Sequence, residues 1–237
     1  MQVITTHVNA DFDCLAAMVA AGKLYPGARM VFSGSAERAV NDYLKETALP
    51  FKIHRVRDID LEHVKRLILV DTQDAGRIGP FKALTEKAGV EVHIYDHHPE
   101  SPAGVSASQS VIRKRGAATT LLHEILVEKQ IPLSPEESTL LALGIFQDTA
   151  SLLSSSTTAE DFSALARLVA GGANLNRVSN YLNRRLNQEQ LNVLNDLIGG
   201  LETHNINGID ISLTTASMDH FVEDLAQVVH SVMDLEA

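Results

Sequence analysis

Val90-Glu91-Val92-His93-Ile94-Tyr95-Asp96-His97-His98 joins a short apolar run to an acidic residue and two histidines. The N-terminus repeats the arrangement, with Val3-Ile4-Thr5-Thr6 leading into His7-Val8-Asn9-Ala10-Asp11-Phe12-Asp13. Leu67-Ile68-Leu69-Val70 ends at Asp71, and the apolar stretch from Leu140 to Phe146 ends beside Asp148. Strand-length apolar runs separated by helical patterns imply a mostly parallel sheet with right-handed crossovers. In such sheets ligands bind beyond the carboxyl ends of the strands. Imidazole and carboxylate together are a donor set for divalent transition metals, and here four separate segments deliver them. Singly, Asp11 reads as a helix N-cap, Asp71-Thr72-Gln73-Asp74 as a strand-end turn, and His97-His98 as a solvated loop. Those readings must each hold separately, whereas one metal centre accounts for all of them.

The strand-like runs are 3–6, 30–33, 51–56, 67–71 and 91–96, with helical patterns over 14–23, 37–46 and 80–87 between them. From Gly116 the pattern turns helical, over 117–129, 135–149, 158–171, 174–184 and 188–201. A strand signal returns over 208–214 after an Asn207-Gly208 hairpin turn, and a last helix is expected over 219–234. The expected fold is α/β, a mostly parallel sheet with helices on both faces, then a helical segment and a small second lobe. The boundaries are a main domain over 1–187, a linker helix over 188–202 and an incomplete lobe over 203–237. One hairpin and one helix hold too little core to stand alone. Either the lobe packs on the main domain or the chain is part of something longer.

With 45% hydrophobic and 21% charged residues in 237, the chain has the composition of a globular protein with a proper core. A formal net charge of −10 argues against a surface that tracks nucleic-acid phosphates non-specifically. It leaves open nucleotides bound through metal ions. No run approaches the length of a membrane-spanning helix and no basic-then-apolar leader opens the chain, so a cytoplasmic protein without membrane attachment is expected. The single cysteine, Cys14, cannot form an internal disulfide and reads as core packing inside the first helix.

His7, Asp11, Asp13, Asp71, His97 and Asp148 suffice for two adjacent metal sites with one bridging carboxylate. Two ions roughly 3.5–4 Å apart activate a shared water and clamp the oxygens of a phosphoryl group. Asp11 and Asp13, two residues apart, cannot face the same way on a regular helix. In the loop leading into the helix each can serve a different ion, and the helix N-terminus favours anions there. His98, beside a ligand, can face substrate as a phosphate hydrogen-bond donor or a proton source. Gly116-Ala117-Ala118-Thr119-Thr120 opens an apolar helix. Its Gly116 and Thr119 are candidate substrate contacts through backbone N–H groups, the plain alternative being a cap with small-residue packing. Arg113, Lys114 and Arg115 could flank the same entrance or form a solvated face, and Arg184-Arg185 is equally ambiguous. The remaining histidines, His54, His63, His93, His123, His204, His220 and His230, read as surface or core residues.

The ordered set His-x-x-x-Asp-x-Asp, Asp-Thr, Asp-His-His and a later Asp-Thr resembles the DHH phosphoesterase superfamily. That group includes family II inorganic pyrophosphatases, RecJ-type exonucleases, oligoribonucleases and cyclic-dinucleotide phosphodiesterases. The resemblance covers residues 1 to about 200. It implies that His7, Asp11 and Asp71 hold one metal and that Asp13, Asp71, His97 and Asp148 hold the other. Asp96 supports from behind, and His98 contacts phosphate. His98, Asp71 and Asp96 would then be the catalytic set, with Mn²⁺ as the first-choice ion and Mg²⁺ or Co²⁺ as substitutes. More narrowly, the stretch from His7 to Ala16 and Lys23-Leu24-Tyr25-Pro26-Gly27 resemble the N-terminal DHH region of certain bacterial proteins. There, CBS domains and a tRNA nucleotidyltransferase or poly(A) polymerase module follow.

This sequence departs from that pattern at Ala10, where Pro is usual, and at Ala150, where Gly is usual. It also lacks a Gly-Gly-Gly-His-x-x-Ala motif. The chain is therefore expected to be an N-terminal piece of a longer protein, cut within its second lobe. The implied activity is hydrolysis of a nucleotide or short-RNA phosphodiester or phosphomonoester by a two-metal-activated hydroxide. A catalytically weak nucleotide-sensing module and an inorganic pyrophosphatase are the alternatives, and a homodimer is compatible with all three.

Overall fold

The computed structural model describes residues 1–47, 50–99, 104–182, 186–222 and 225–236. Arg184 and Arg185 lie outside them. The chain divides into two compact units, Met1–Leu182 and Asn183–Ala237.

In the first unit the strands β1 (Gln2–Thr5), β2 (Arg29–Val31), β3 (Ile53–His54), β4 (Arg66–Val70), β5 (Glu91–Asp96) and β6 (Gln109–Ile112) form one sheet. Every pairing is parallel, in the order β3-β2-β1-β4-β5-β6. β6 is a strand the sequence reading did not anticipate. Its first two residues are exposed and the next two half-buried, so an edge position leaves no continuous apolar run to notice.

The central strands are apolar throughout because both sheet faces are covered. Ile4, Ile68, Val70 and Tyr95 point into one core, while Val3, Leu67, Leu69 and Ile94 point into the other. The first core is closed by α1 (Phe12–Leu24), α2 (Arg38–Glu46) and helices that follow the sheet in sequence. The second is closed by Ile59, Val64, Ile78, Phe81 and Leu84, which come from loops, 3₁₀ turns and the four-residue α3 (Lys82–Thr85). The helix expected over 80–87 is therefore a 3₁₀ turn, Gly79–Phe81, followed by that single turn. After the sheet come α4 (Ala118–Glu128), α5 (Pro135–Asp148), α6 (Ala159–Ala170) and α7 (Leu175–Leu182). Ser134 starts α5 with a reciprocal cap: its hydroxyl accepts from Glu137 N–H and the Glu137 carboxylate accepts from Ser134 N–H.

The second unit holds α8 (Gln188–Gly199), β7 (Glu202–Ile206), β8 (Ile209–Leu213) and α9 (Leu225–Glu236). Its core joins Val193 to Val222 and Val228. Residues 188–202, read as a linker, thus contribute packing to this unit. β7 and β8 form the antiparallel hairpin signalled by Asn207-Gly208. Among the described residues no helix is long and apolar enough to cross a membrane.

β1 and β4 are neighbours although β2 and β3 intervene in sequence, so the strand order reverses between them. A crevice opens at that reversal, beyond the carboxyl ends. The site is held there by α1 lying close against α5. A Cβ at Gly144 would stand 2.8 Å from Ala16 Cβ and 3.0 Å from the Phe12 carbonyl oxygen. Helix propensity alone would make Gly144→Ala stabilising by about 1 kcal/mol. Rigid neighbours at that distance should reverse the sign, to a loss of about 1–3 kcal/mol. Urea denaturation measures it, and a raised midpoint would contradict the close packing.

Candidate metal centre

Each ligand candidate is placed by the end of an element. His7 and Asp71 follow β1 and β4, His97 and His98 follow β5, and Asp148 ends α5. Asp11 is the N-cap of α1, its Oδ1 accepting from Cys14 N–H at 2.9 Å, and Asp13 lies in the first turn. The structure brings all six expected ligands together in three overlapping groups: His7, Asp11, Cys14 and Asp71; Asp71, Asp96, His97 and His98; and Asp13, His97 and Asp148. Within each group the donor atoms lie within 4.8 Å of one another. Asp71 joins the first two, with Oδ2 3.3 Å from His7 Nε2 and Oδ1 3.3 Å from His97 Nε2.

Both inner histidines are oriented from behind. The His7 Nδ1 lies 2.8 Å from the Val8 carbonyl, and His97 Nδ1 lies 3.0 Å from the Arg115 carbonyl. A carbonyl can only accept, so each ring donates from Nδ1 and turns Nε2 toward the carboxylates, the arrangement typical of ligating histidines. Asp71 Oδ1, His97 Nε2 and Asp148 Oδ2 are buried with no partner beyond one another: the imidazole nitrogen stands 3.3 Å from the first carboxylate and 3.1 Å from the second. Two buried carboxylates converging on one imidazole are costly without a further positive charge. Carboxylate and imidazole donors so arranged fit divalent cations.

The electrostatics agree. Asp71 is 3% exposed. Burial alone would raise its pKa, yet hydrogen bonds and charge from His7 and His97 hold it well below the usual carboxylate range. Its neighbours move the other way. Burial, then the charge of Asp71, raises Asp11; burial, then Asp71 and Asp148, raises Asp13. Burial lifts Asp148 to about 6 against the pull of His97. For His97 burial acts downward, but Asp71, Asp13 and Asp148 together push it up to about 10. These shifts mark a cluster with more buried negative charge than its imidazoles can balance.

Asp96 is fully buried, and its oxygens accept from His97 N–H, His98 N–H, His98 Nδ1 and Gln73 Nε2. These bonds hold the His98 ring from behind. Gly116 and Thr119 do not present their backbone N–H groups to a substrate. Gly116 N–H donates to the Asp161 carboxylate, and Ala118 and Thr119 N–H donate to Asp13 at 2.8 and 2.9 Å. The anion favoured by the start of α4 is thus the protein's own Asp13. A side chain at 116 would collide with Thr149 and Asp161, at 2.5 and 2.6 Å. Gln147, unnoticed in the sequence, accepts from Phe12 N–H at the start of α1 at 2.7 Å. Cys14, read as core, is fully buried but touches His7 and Asp71.

Beside the centre lies a cavity of about 400 Å³ lined by His97, His98, Pro99, Ile112, Lys114, Arg115 and Ser156. His98 is half exposed there, and its Nδ1 is held 2.8 Å from Asp96 Oδ1. That hydrogen bond, against burial and the nearby His97, keeps the His98 imidazole above its ordinary pKa.

The two departures at alanines have structural accounts. Ala10 N–H donates to the Ser35 carbonyl at 3.0 Å, a bond proline could not make. Ala150, at φ 47°, opens a left-handed run continued by Ser151 and Leu152, so alanine there is strained.

The chain belongs to the DHH family: residues 2–145 match the DHH family N-terminal domain. It is 48% identical over 237 residues to an A-adding tRNA nucleotidyltransferase of Geobacter sulfurreducens, and 31% identical over 235 residues to that of Aquifex aeolicus. These alignments cover 100% and 99% of this chain but 27% of each relative. Among solved structures, an exopolyphosphatase-related protein from Bacteroides fragilis shares the fold, with a TM-score of 0.69 at 12% identity over 86% of this chain and 62% of that one.

Below about pH 10 an entering ion must displace a proton from His97, and below about pH 6 another from Asp148. Mn²⁺ affinity by titration calorimetry should therefore rise with pH between 7 and 9, by about tenfold per unit for each proton displaced, and more steeply below pH 6. An affinity independent of pH would contradict this charge balance. Separately, Ala150→Gly should relieve the left-handed strain and stabilise the chain by about 1 kcal/mol. An unchanged or lower denaturation midpoint would contradict that.

Proposed function

We propose that this chain is a metal-dependent phosphoesterase that hydrolyses a phosphate ester of a nucleotide or short RNA. The observation that carries the reading is the buried convergence of Asp71 Oδ1 and Asp148 Oδ2 on His97 Nε2, at 3.3 and 3.1 Å, beside a cavity lined by His98, Lys114 and Arg115. His7, Asp11 and Asp71 would hold one divalent ion, and Asp13, Asp71, His97 and Asp148 the other, with Mn²⁺ expected and Mg²⁺ or Co²⁺ able to replace it. When bound, such a pair supplies an activated water and neutralises charge at phosphorus.

The chain's own residues supply the rest. Lys114 attracts the phosphate, Arg115 being held in the cavity wall by Glu124 at 2.9 Å, and Ile112 and Pro99 offer an apolar wall for a base or sugar. His98, held through Nδ1 by Asp96, keeps Nε2 for the substrate. Its raised pKa favours the protonated ring, which can donate to a phosphate oxygen or to the leaving oxygen. The longer relatives, A-adding tRNA nucleotidyltransferases of which this chain spans 27%, support placing this region in a larger protein of that kind; a cytoplasmic location, a poly(A) polymerase module and CBS domains as partners follow from the resemblance alone.

The test is turnover of bis-p-nitrophenyl phosphate, pyrophosphate and a short RNA with Mn²⁺. Two variants accompany the wild type: Asp71→Asn, which tolerates the left-handed backbone at 71 (φ 56°), and His98→Gln. The reading expects diester or RNA hydrolysis that Asp71→Asn abolishes and His98→Gln slows by about 10²–10⁴-fold. Preference for pyrophosphate would replace it with a pyrophosphatase, and metal uptake without turnover would replace it with a sensor.

A further inference from the structure

Arg113-Lys114-Arg115, which residue order leaves as either a flank of the site or a solvated face, lies between two cavities. The run continues from the end of β6, and its side chains part. Lys114 lines the cavity beside the metal centre, Arg113 lines a second one of about 420 Å³, and Arg115 lines both. The second cavity is a groove between two helices. His123, Glu124 and Glu128 come to it from α4, and Glu160 and Arg167, two turns apart on one face, come from α6. Two of these side chains lack a partner. His123 is 4% exposed, yet among the described residues nothing hydrogen-bonds its ring, whereas buried polar groups are as a rule paired. Burial, then the charge of Arg167, lowers its pKa to about 4, so at neutral pH the ring offers the cavity one donor and one acceptor. Arg167 is exposed and carries no ion pair among the described residues. Glu124, by contrast, is claimed twice, by Arg113 Nη1 at 3.1 Å and by Arg115 Nε at 2.9 Å.

We propose that the groove between α4 and α6 binds the nucleotide next to the scissile phosphate, its own phosphate held by Arg113 and Arg167 and its base or sugar by His123. The inference rests on the phosphoesterase reading above and names its substrate as a short RNA of at least two nucleotides. Guanidinium groups match phosphate oxygens in geometry as well as charge. Two of them share the single Glu124 carboxylate and the third has none, so the groove keeps donors for an anion. Glu128 and Glu160 would repel inorganic phosphate, but they accept from the ribose hydroxyls and base amino groups that a nucleotide carries. Because Arg115 borders both cavities, a strand whose reacting phosphate lies at the metal centre can pass it into the groove. A mononucleotide would fill the first cavity alone.

The experiment compares the wild type with Arg167→Gln, which alters an exposed side chain, and with His123→Gln. Turnover of tetra-adenylate and of bis-p-nitrophenyl phosphate is measured with Mn²⁺, and binding of fluorescein-labelled tetra-adenylate by anisotropy with Ca²⁺ in its place. In Arg167→Gln the ratio of kcat/KM for tetra-adenylate to that for bis-p-nitrophenyl phosphate should fall by about tenfold or more, through KM, with a matching rise in Kd. His123→Gln should shift both in the same direction. An unchanged ratio and Kd in Arg167→Gln, or a wild type that does not bind tetra-adenylate, would overturn the groove. Binding that Arg167→Gln weakens, with no turnover of either compound, would overturn the phosphoesterase reading and leave the groove standing as a nucleotide site.

Discussion

A single carboxylate shared between two histidines sets the terms for this site. Asp71 is almost wholly excluded from water, and an ionised carboxylate in that position is costly unless it is paired and hydrogen-bonded. His7 answers one oxygen and His97 the other. The sheet makes this geometry, because β1 and β4 lie side by side at the reversal of strand order and β5 follows in register. Asp71 takes a left-handed backbone at φ 56° to turn off the end of β4, while its N–H still donates to the Tyr95 carbonyl at 2.9 Å. Backbone strain at a position held so firmly is a common mark of a functional site.

Around that pair the charges do not balance. Asp11, Asp13, Asp71 and Asp148 bring four carboxylates to two inner imidazoles, His7 and His97. Burial and this excess of negative charge together raise Asp11, Asp13 and Asp148, and the carboxylates raise His7 and His97 against burial. Two divalent cations would relieve it without protons. The surrounding structure is built to keep these groups in place: α4 turns its first N–H groups onto Asp13, Gln147 caps α1, and backbone carbonyls hold both rings. Only His98 is half exposed, which suits a group that must meet a substrate.

Much of this was legible from residue order alone. Apolar runs ending in His or Asp locate β1, β4 and β5 and all six expected ligands, because strands buried on both faces leave a continuous signature. What escaped depends on distance in space. Cys14 sits in a helix buried on nearly every side, so periodicity cannot separate a core position from one facing the centre. The Gly116 to Thr120 stretch does open a helix that meets an anion, but residue types do not reveal that the anion is Asp13, over a hundred residues earlier. Gln147 reaches Phe12 across a similar separation. β6 lacks an apolar run because it is an edge, and the other covered face needed only single turns where a full helix was expected.

The central claim is that Asp71 bridges two metal ions. Electron paramagnetic resonance of the chain loaded with Mn²⁺, read beside the bound stoichiometry, tests it most directly. The account predicts two ions per chain with the spectrum of an exchange-coupled pair, collapsing to uncoupled Mn²⁺ when Asp71 is replaced by Asn. One ion per chain with an isolated-ion spectrum, or a coupled pair that survives the loss of the Asp71 carboxylate, would contradict it.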